Sequence, residues 1–216
     1  MKGKSKSGVS IIGGADGPTS IFIAGRAQKR PLKVRIRSIL YRFKRKRAEK
    51  KVVAGEHTLD ELVQYAKNSY NLIETNSSER KYIEQQNNLK ESLILQHKPE
   101  VLGEMKDIPK PNIYNEKSIR EYLYKIEARR EMIAEMPDNV IPMNFHLYEI
   151  RIGDDSLEMN IDYIWNILAI SYSGNKKVMK QFQKISKDLY IFYGVSEDDI
   201  KKKTERYLSL VTALSS

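Results

Sequence analysis

Apolar residues recur along this chain mostly at intervals of three and four, the period that turns one face of a helix toward a core. Leu32, Ile36, Ile39, Leu40 and Phe43 form the first such stripe, with Pro31 placed as the first residue of its helix. After a break at Gly55, Thr58-Leu59-Asp60-Glu61 reads as a capping box: the threonine oxygen takes an early helical amide and Glu61 reaches back. Leu59, Leu62, Val63, Ala66, Tyr70 and Ile73 form the second stripe. Thr75-Asn76-Ser77-Ser78 separates it from a further helix ending near His97, with Tyr82, Leu89 and Leu93 inward, so 56–98 reads as a helical hairpin. Pro99, Gly103, Pro109 and Pro111 make 99–114 a linker. A helix over 116–136 follows, with Ile119, Leu123, Ile126, Ile133 and Met136 inward.

Phe145–Ile152 alternates at Tyr148, Ile150 and Ile152 and is the one strand candidate, either irregular or paired with the N-terminal stretch. Leu157, Ile161, Ile164, Trp165, Leu168 and Tyr172 fit a helical stripe. Val178, Phe182, Ile185, Leu189 and Phe192 fit another after Gly174-Asn175, and Ile200, Tyr207, Leu208 and Val211 a third after Gly194 and the cap Ser196. The expectation is a mainly α protein with at most one short strand region. Its parts are an irregular Gly-rich segment (1–30), a basic amphipathic helix (31–54) and a helical body (56–216). Within the body lie the hairpin, the linker, a helix and extended segment over 115–152, and an antiparallel three-helix bundle over 155–216.

The stretch 8–25 breaks the helical rhythm. It holds one charge, Asp16, among Gly13, Gly14 and Gly17 and just before Pro18, with an apolar wing on each side. Loose glycines and a proline without an amide favour a broken, hairpin-like segment whose free backbone groups sit beside a carboxylate, which suits a cation.

Ile12-Gly13-Gly14-Ala15-Asp16-Gly17-Pro18-Thr19, followed by Ser20-Ile21-Phe22, resembles the signature of the beta subunit of sodium-ion-translocating decarboxylases. That family includes the oxaloacetate, glutaconyl-CoA and methylmalonyl-CoA pumps. The resemblance implies a cation ligand at Asp16, with Thr19 a weaker one, Na+ as the ion, and Gly13, Gly14, Gly17 and Pro18 as the residues shaping the loop. It covers less than a tenth of the chain. The whole is also similar to small bacterial proteins that share this opening and continue into a basic run.

Charge sharpens the division. Residues 26–51 hold thirteen Lys/Arg and one Glu, whereas 52–216 carry a net charge of −4. A mildly acidic body thus follows a strongly basic arm, and the arm points to an anionic partner. Lys33, Arg35, Arg37, Arg42, Lys44, Arg45, Lys46 and Arg47 interleave the first stripe. Such a helix can lie in an anionic membrane surface, contact RNA or DNA phosphate, or rest on its own domain with a solvated basic face.

A spanning helix needs about 20 mainly apolar residues. The opening stretch is interrupted by glycines, a proline and Asp16, and no other segment supplies a bundle around it. It also reads poorly as a secretory signal, having no clear small-x-small cleavage site.

Catalytic patterns are sparse. The absence of cysteine excludes disulfides and thiolate metal sites. His57, His97 and His146 are far apart and fit no metal-ligand spacing. The acidic pairs Asp154-Asp155 and Asp198-Asp199 read as turn and helix-start charges, and the thirteen tyrosines as core edge. Gly3-Lys4-Ser5 lacks the upstream half of a phosphate loop, and Gly13-Gly14 with Gly17 misses the dinucleotide spacing. No nucleophile–base pair and no biotin-attachment pattern is visible.

The functional expectation is a non-enzymatic accessory protein, cytoplasmic and peripheral at the inner face of the membrane. It would dock on an anionic membrane surface or a membrane protein through the motif and the basic helix. The alternatives are a sodium-transporting beta-subunit-like component and an RNA- or ribosome-associated protein with a basic arm.

Overall fold

Leu157, Met159 and Ile161 are all fully buried, and Glu158 and Asn160 between them are not. Burial at every second residue is the rule of a strand with one face in a core. A computed structural model describes residues 7–12, 20–25 and 32–215, the side chains of the first two segments and of Leu32, Lys33 and Arg35 excepted.

In chain order the elements are β1 (Ser7–Ile12), β2 (Ser20–Gly25), α1 (Leu32–Glu49), β3 (Gly55–Glu56), α2 (Leu59–Tyr70), β4 (Ile73–Glu74) and α3 (Arg80–His97). A 3-10 segment (Pro99–Lys106), broken at Gly103, leads to α4 (Glu116–Glu135). Then come β5 (Phe145–Ile152), β6 (Asp155–Asp162), β7 (Ile167–Tyr172), α5 (Lys176–Tyr193), β8 (Gly194–Val195), α6 (Glu197–Lys202) and α7 (Glu205–Ser215).

The fold is α+β, which corrects the mainly α expectation and the all-helical description of the body. β4, β5, β6 and β7 form an antiparallel four-stranded sheet in sequential order. The region read as the first helix of a three-helix bundle is the β6–β7 hairpin, registered from Leu157↔Tyr172 to Asp162↔Ile167. Its spacing misled because residues four apart share a face in a strand as well as in a helix. The turn is fixed by Asp162, whose buried carboxylate accepts the amides of Asn144, Ile164 and Trp165 at 2.9, 3.0 and 2.9 Å. Asn166 takes the left-handed conformation (φ 51°) that closes it. β5 is a central strand between β4 and β6, and it does not pair with the N-terminal stretch. The Asp154-Asp155 pair sits at the β5–β6 turn and precedes a strand, not a helix.

The chain divides into two compact units, one of residues 1–30 with 83–142 and one of residues 31–82 with 143–216. In the first, β1 and β2 pair antiparallel from Ser7↔Gly25 to Ile12↔Ser20. There too, Arg129 of α4 grips the half-buried Glu91 of α3, Nε at 2.7 Å and Nη2 at 2.6 Å, and its Nη1 donates to the Met105 carbonyl at 3.3 Å.

In the second unit, one sheet face (Tyr148, Ile150, Leu157, Met159, Ile161) packs on Leu62, Val63 and Ala66 of α2 and Phe182 and Leu189 of α5. The other face meets the first turn of α3. There the Tyr82 hydroxyl donates to the Phe145 carbonyl, and Lys81 pairs with the buried Glu149. α2 opens on the Thr58–Glu61 capping box, and its Tyr65 and Tyr70 hydroxyls both donate to Asp188 of α5, at 2.5 and 2.7 Å. A smaller core gathers Ala48 of α1, Val195, and Tyr207, Leu210 and Val211 of α7.

Candidate docking site on the basic helix

The basic arm folds as α1, with no acidic residue in its first turn and Lys46 and Arg47 in its last, where cations suit the helix dipole. At about 100° per residue, Ile36, Ile39, Leu40 and Phe43 share one arc, and Val34, Ser38, Tyr41, Arg45 and Ala48 lie on the opposite one. The body takes only part of the second arc, since Val34 and Tyr41 on it are each 46% exposed. Ala48 is only 3% exposed, in the small core with α7, and Ser38, Arg45 and Glu49 are half-buried.

The apolar stripe therefore faces outward. Ile36, Ile39, Leu40 and Phe43 are 49%, 50%, 58% and 62% exposed. Arg37 and Lys44 flank it on one side, Arg42 and Lys46 on the other, and Arg47 follows its C-terminal end, all exposed. Arg45 stands on the packed side and pairs with Glu49 at 3.4 Å. Lys33 and Arg35 belong to the helix, but their side chains fall outside the described residues. Spacing alone finds the stripe but not its direction. The face used for packing is marked in sequence only by the small residues Ser38 and Ala48.

Chemically this is a cationic surface with an apolar ridge. Each exposed aliphatic or aromatic side chain transferred from water gains up to about 1.5–3 kcal/mol, and each Lys or Arg near an anionic lipid surface about 1 kcal/mol. Among the described residues, no helix is long and apolar enough to cross a membrane.

The second group of sequence-predicted site residues, Gly13, Gly14, Asp16, Gly17, Pro18 and Thr19, lies outside the described residues, between the paired strands β1 and β2. The histidines are not brought together. His57 Nδ1 donates to the Phe192 carbonyl at 2.8 Å, and His146 Nδ1 meets Glu74 at 2.6 Å. Among the described residues, no group of three or more His, Cys, Asp or Glu is placed to hold a metal ion.

Polar side chains that sequence reading missed stabilise the body instead. Asp162 organises the β6–β7 turn, Asp188 joins α2 to α5, and Arg206 ties α7 to β8 through the Gly194 carbonyl at 2.9 Å. The partners of Asp188 and Arg206 lie mostly far away in sequence, whereas Asp162 accepts two amides of its own turn, a local signal at Asp162-Tyr163-Ile164 that sequence reading passed over. No protein-family model, no curated protein and no solved structure matches the chain.

Proposed function

We propose that this chain is a non-enzymatic interaction protein that docks on an anionic membrane surface through α1. The observation that carries the reading is the outward apolar stripe of Ile36, Ile39, Leu40 and Phe43 between rows of Lys and Arg. A helix resting on its own domain would turn that stripe inward, and contact with nucleic-acid phosphate needs the cations but has no use for the ridge. An interfacial helix needs both: the ridge enters the acyl boundary and the cations stay at the headgroups. The cytoplasmic leaflet, which carries anionic lipid, is the matching surface. The sodium-transport alternative stays with the motif around Asp16 and draws on none of the described geometry.

The test is co-sedimentation of the full chain with vesicles rich in phosphatidylglycerol, with vesicles of phosphatidylcholine alone, and in parallel with a structured RNA. The expected result is binding to the anionic vesicles, reduced at least tenfold in Phe43→Asp. Tight RNA binding without vesicle binding, or vesicle binding indifferent to Phe43→Asp, overturns the reading.

A further inference from the structure

Beyond the last turn of α1 the chain runs through Lys51–Ala54 along one side of an open cleft of about 370 Å³. Its apolar wall is built by Val52, Val53, Ile191, Phe192, Leu210 and Leu214. Two of these stand well into solvent, Val53 at 77% and Ile191 at 48% exposed. The cleft is as large as small-ligand sites usually are, and its lining is mostly apolar, as theirs is.

The charge on that lining is one-sided. Lys51 contributes an exposed ammonium, and no Asp or Glu lines the cleft. The nearest acids in sequence are engaged elsewhere, Glu49 with Arg45 and Glu56 with Arg206.

The wall is also held in advance. The His57 ring stacks on Phe192 at 4.0 Å between centroids, and Phe192 stacks on Tyr65 at 4.2 Å with only 3° between planes. His57 is pinned from both ends, Nδ1 to the Phe192 carbonyl and its own carbonyl to Arg206 at 3.0 Å. A wall fixed before binding spares the ordering cost that a soft one imposes.

From this we infer that the cleft binds a single-chain anionic amphiphile, its carboxylate at Lys51 and its hydrocarbon tail against Val52, Ile191, Leu210 and Leu214. The site is separate from the outward face of α1, so membrane docking and amphiphile binding fail independently.

The experiment is calorimetric titration of the full chain with decanoate below its micelle concentration, with octanoate and decanol as companions. Decanoate binds saturably at one site. Octanoate binds more weakly, by up to about fourfold for each methylene removed. Decanol, lacking the charge, binds about fivefold more weakly than decanoate. Leu214→Trp fills the cleft and abolishes binding. Lys51→Glu, on an exposed side chain that the fold does not need, weakens decanoate at least fivefold and leaves decanol unchanged. Phe43→Asp leaves both titrations unchanged. The inference is overturned by no saturable decanoate binding, by decanol binding as well as decanoate, by Lys51→Glu being silent, by a folded Leu214→Trp that still binds, or by loss of binding in Phe43→Asp.

Discussion

The guanidinium of Arg206 lies 3.6 Å above the ring centre of Tyr193. From that position its nitrogens donate to the carbonyls of Gly194, His57 and Tyr193, at 2.9, 3.0 and 2.5 Å, and to Glu56 at 3.1 Å. One planar side chain from α7 thus fastens the two-residue ladder between β3 and β8, which two strands this short would hold weakly alone. Removing it strands carbonyls that face protein and not water. Arg206→Ala is expected to lower stability by about 3 kcal/mol. Arg206→Lys recovers less than half, because a single ammonium cannot serve a fork of acceptors and stack on a ring together. Urea denaturation of the three proteins checks both statements.

The same ladder depends on a missing side chain. Gly194 has φ +64°, and a Cβ placed there would lie 1.7 Å from the Gly55 carbonyl oxygen. Gly153, at the β5–β6 turn, has φ +62°, and a Cβ placed there would meet nothing within 4 Å. An alanine at either position would carry the penalty of a positive φ, and at Gly194 (ψ −162°) it would also collide. Gly153→Ala is expected to cost about 1 kcal/mol and Gly194→Ala at least about 3 kcal/mol. Thermal melts of the pair separate backbone strain from steric conflict; equal losses would contradict the close approach of the two strands.

Acid stability is expected to rest in part on Glu149. Burial opposes its charge, but hydrogen bonds from Lys81 and Arg151 outweigh burial and hold its carboxyl below the usual range. A carboxyl depressed in the folded state stabilises above its unfolded pKa, about 4.3, and that contribution is lost as pH falls through the folded value. The protein therefore loses stability below about pH 4.3 as Glu149 takes up a proton. Glu149→Gln should lower stability at neutral pH and flatten this acid limb. Denaturation midpoints measured at stepped pH test it; parallel curves for the two proteins would exclude the role.

The two faces of α1 make opposite statements about stability. Ala48 is enclosed by Val195, Tyr207, Leu210 and Val211, so Ala48→Asp puts an unpaired charge into that small core and is expected to cost at least about 2 kcal/mol. Phe43, on the outward arc, should tolerate aspartate within about 0.5 kcal/mol. Far-ultraviolet melting curves decide this without any membrane present. A large loss in Phe43→Asp would mean that the stripe is covered in solution.

How far these features were legible varies with how local their causes are. The capping box at Thr58 and Glu61 could be read because four consecutive residues hold the whole device. The β6–β7 hairpin was misread because Leu157 and Ile161, and likewise Leu168 and Tyr172, are four apart and so share a face in a strand as in a helix, while Ile164 in the turn bridges the two pairs at a helical interval. Met159, buried between Leu157 and Ile161, was the residue that distinguished strand from helix. Asp188 meets Tyr65 and Tyr70 from another element, and Asp162 joins the amide of Asn144 to two amides of its own turn, so the full role of either carboxylate shows only in the fold. For the candidate site, composition revealed a basic amphipathic helix, but which arc it buries depends on α7, at the other end of the chain, and on side chains as inconspicuous as Ala48.

The pairing of α1 with α7 also sets an order of events during synthesis. The partner that covers Ala48 is the last helix described, so α1 leaves the ribosome long before its own packing face can be buried. Through that interval a cationic helix with apolar residues on both sides stands exposed beside whatever anionic surface is nearby. Completion of α7 then buries Ala48 on one side of α1, while Ile36, Ile39, Leu40 and Phe43 on the other stay exposed in the finished fold.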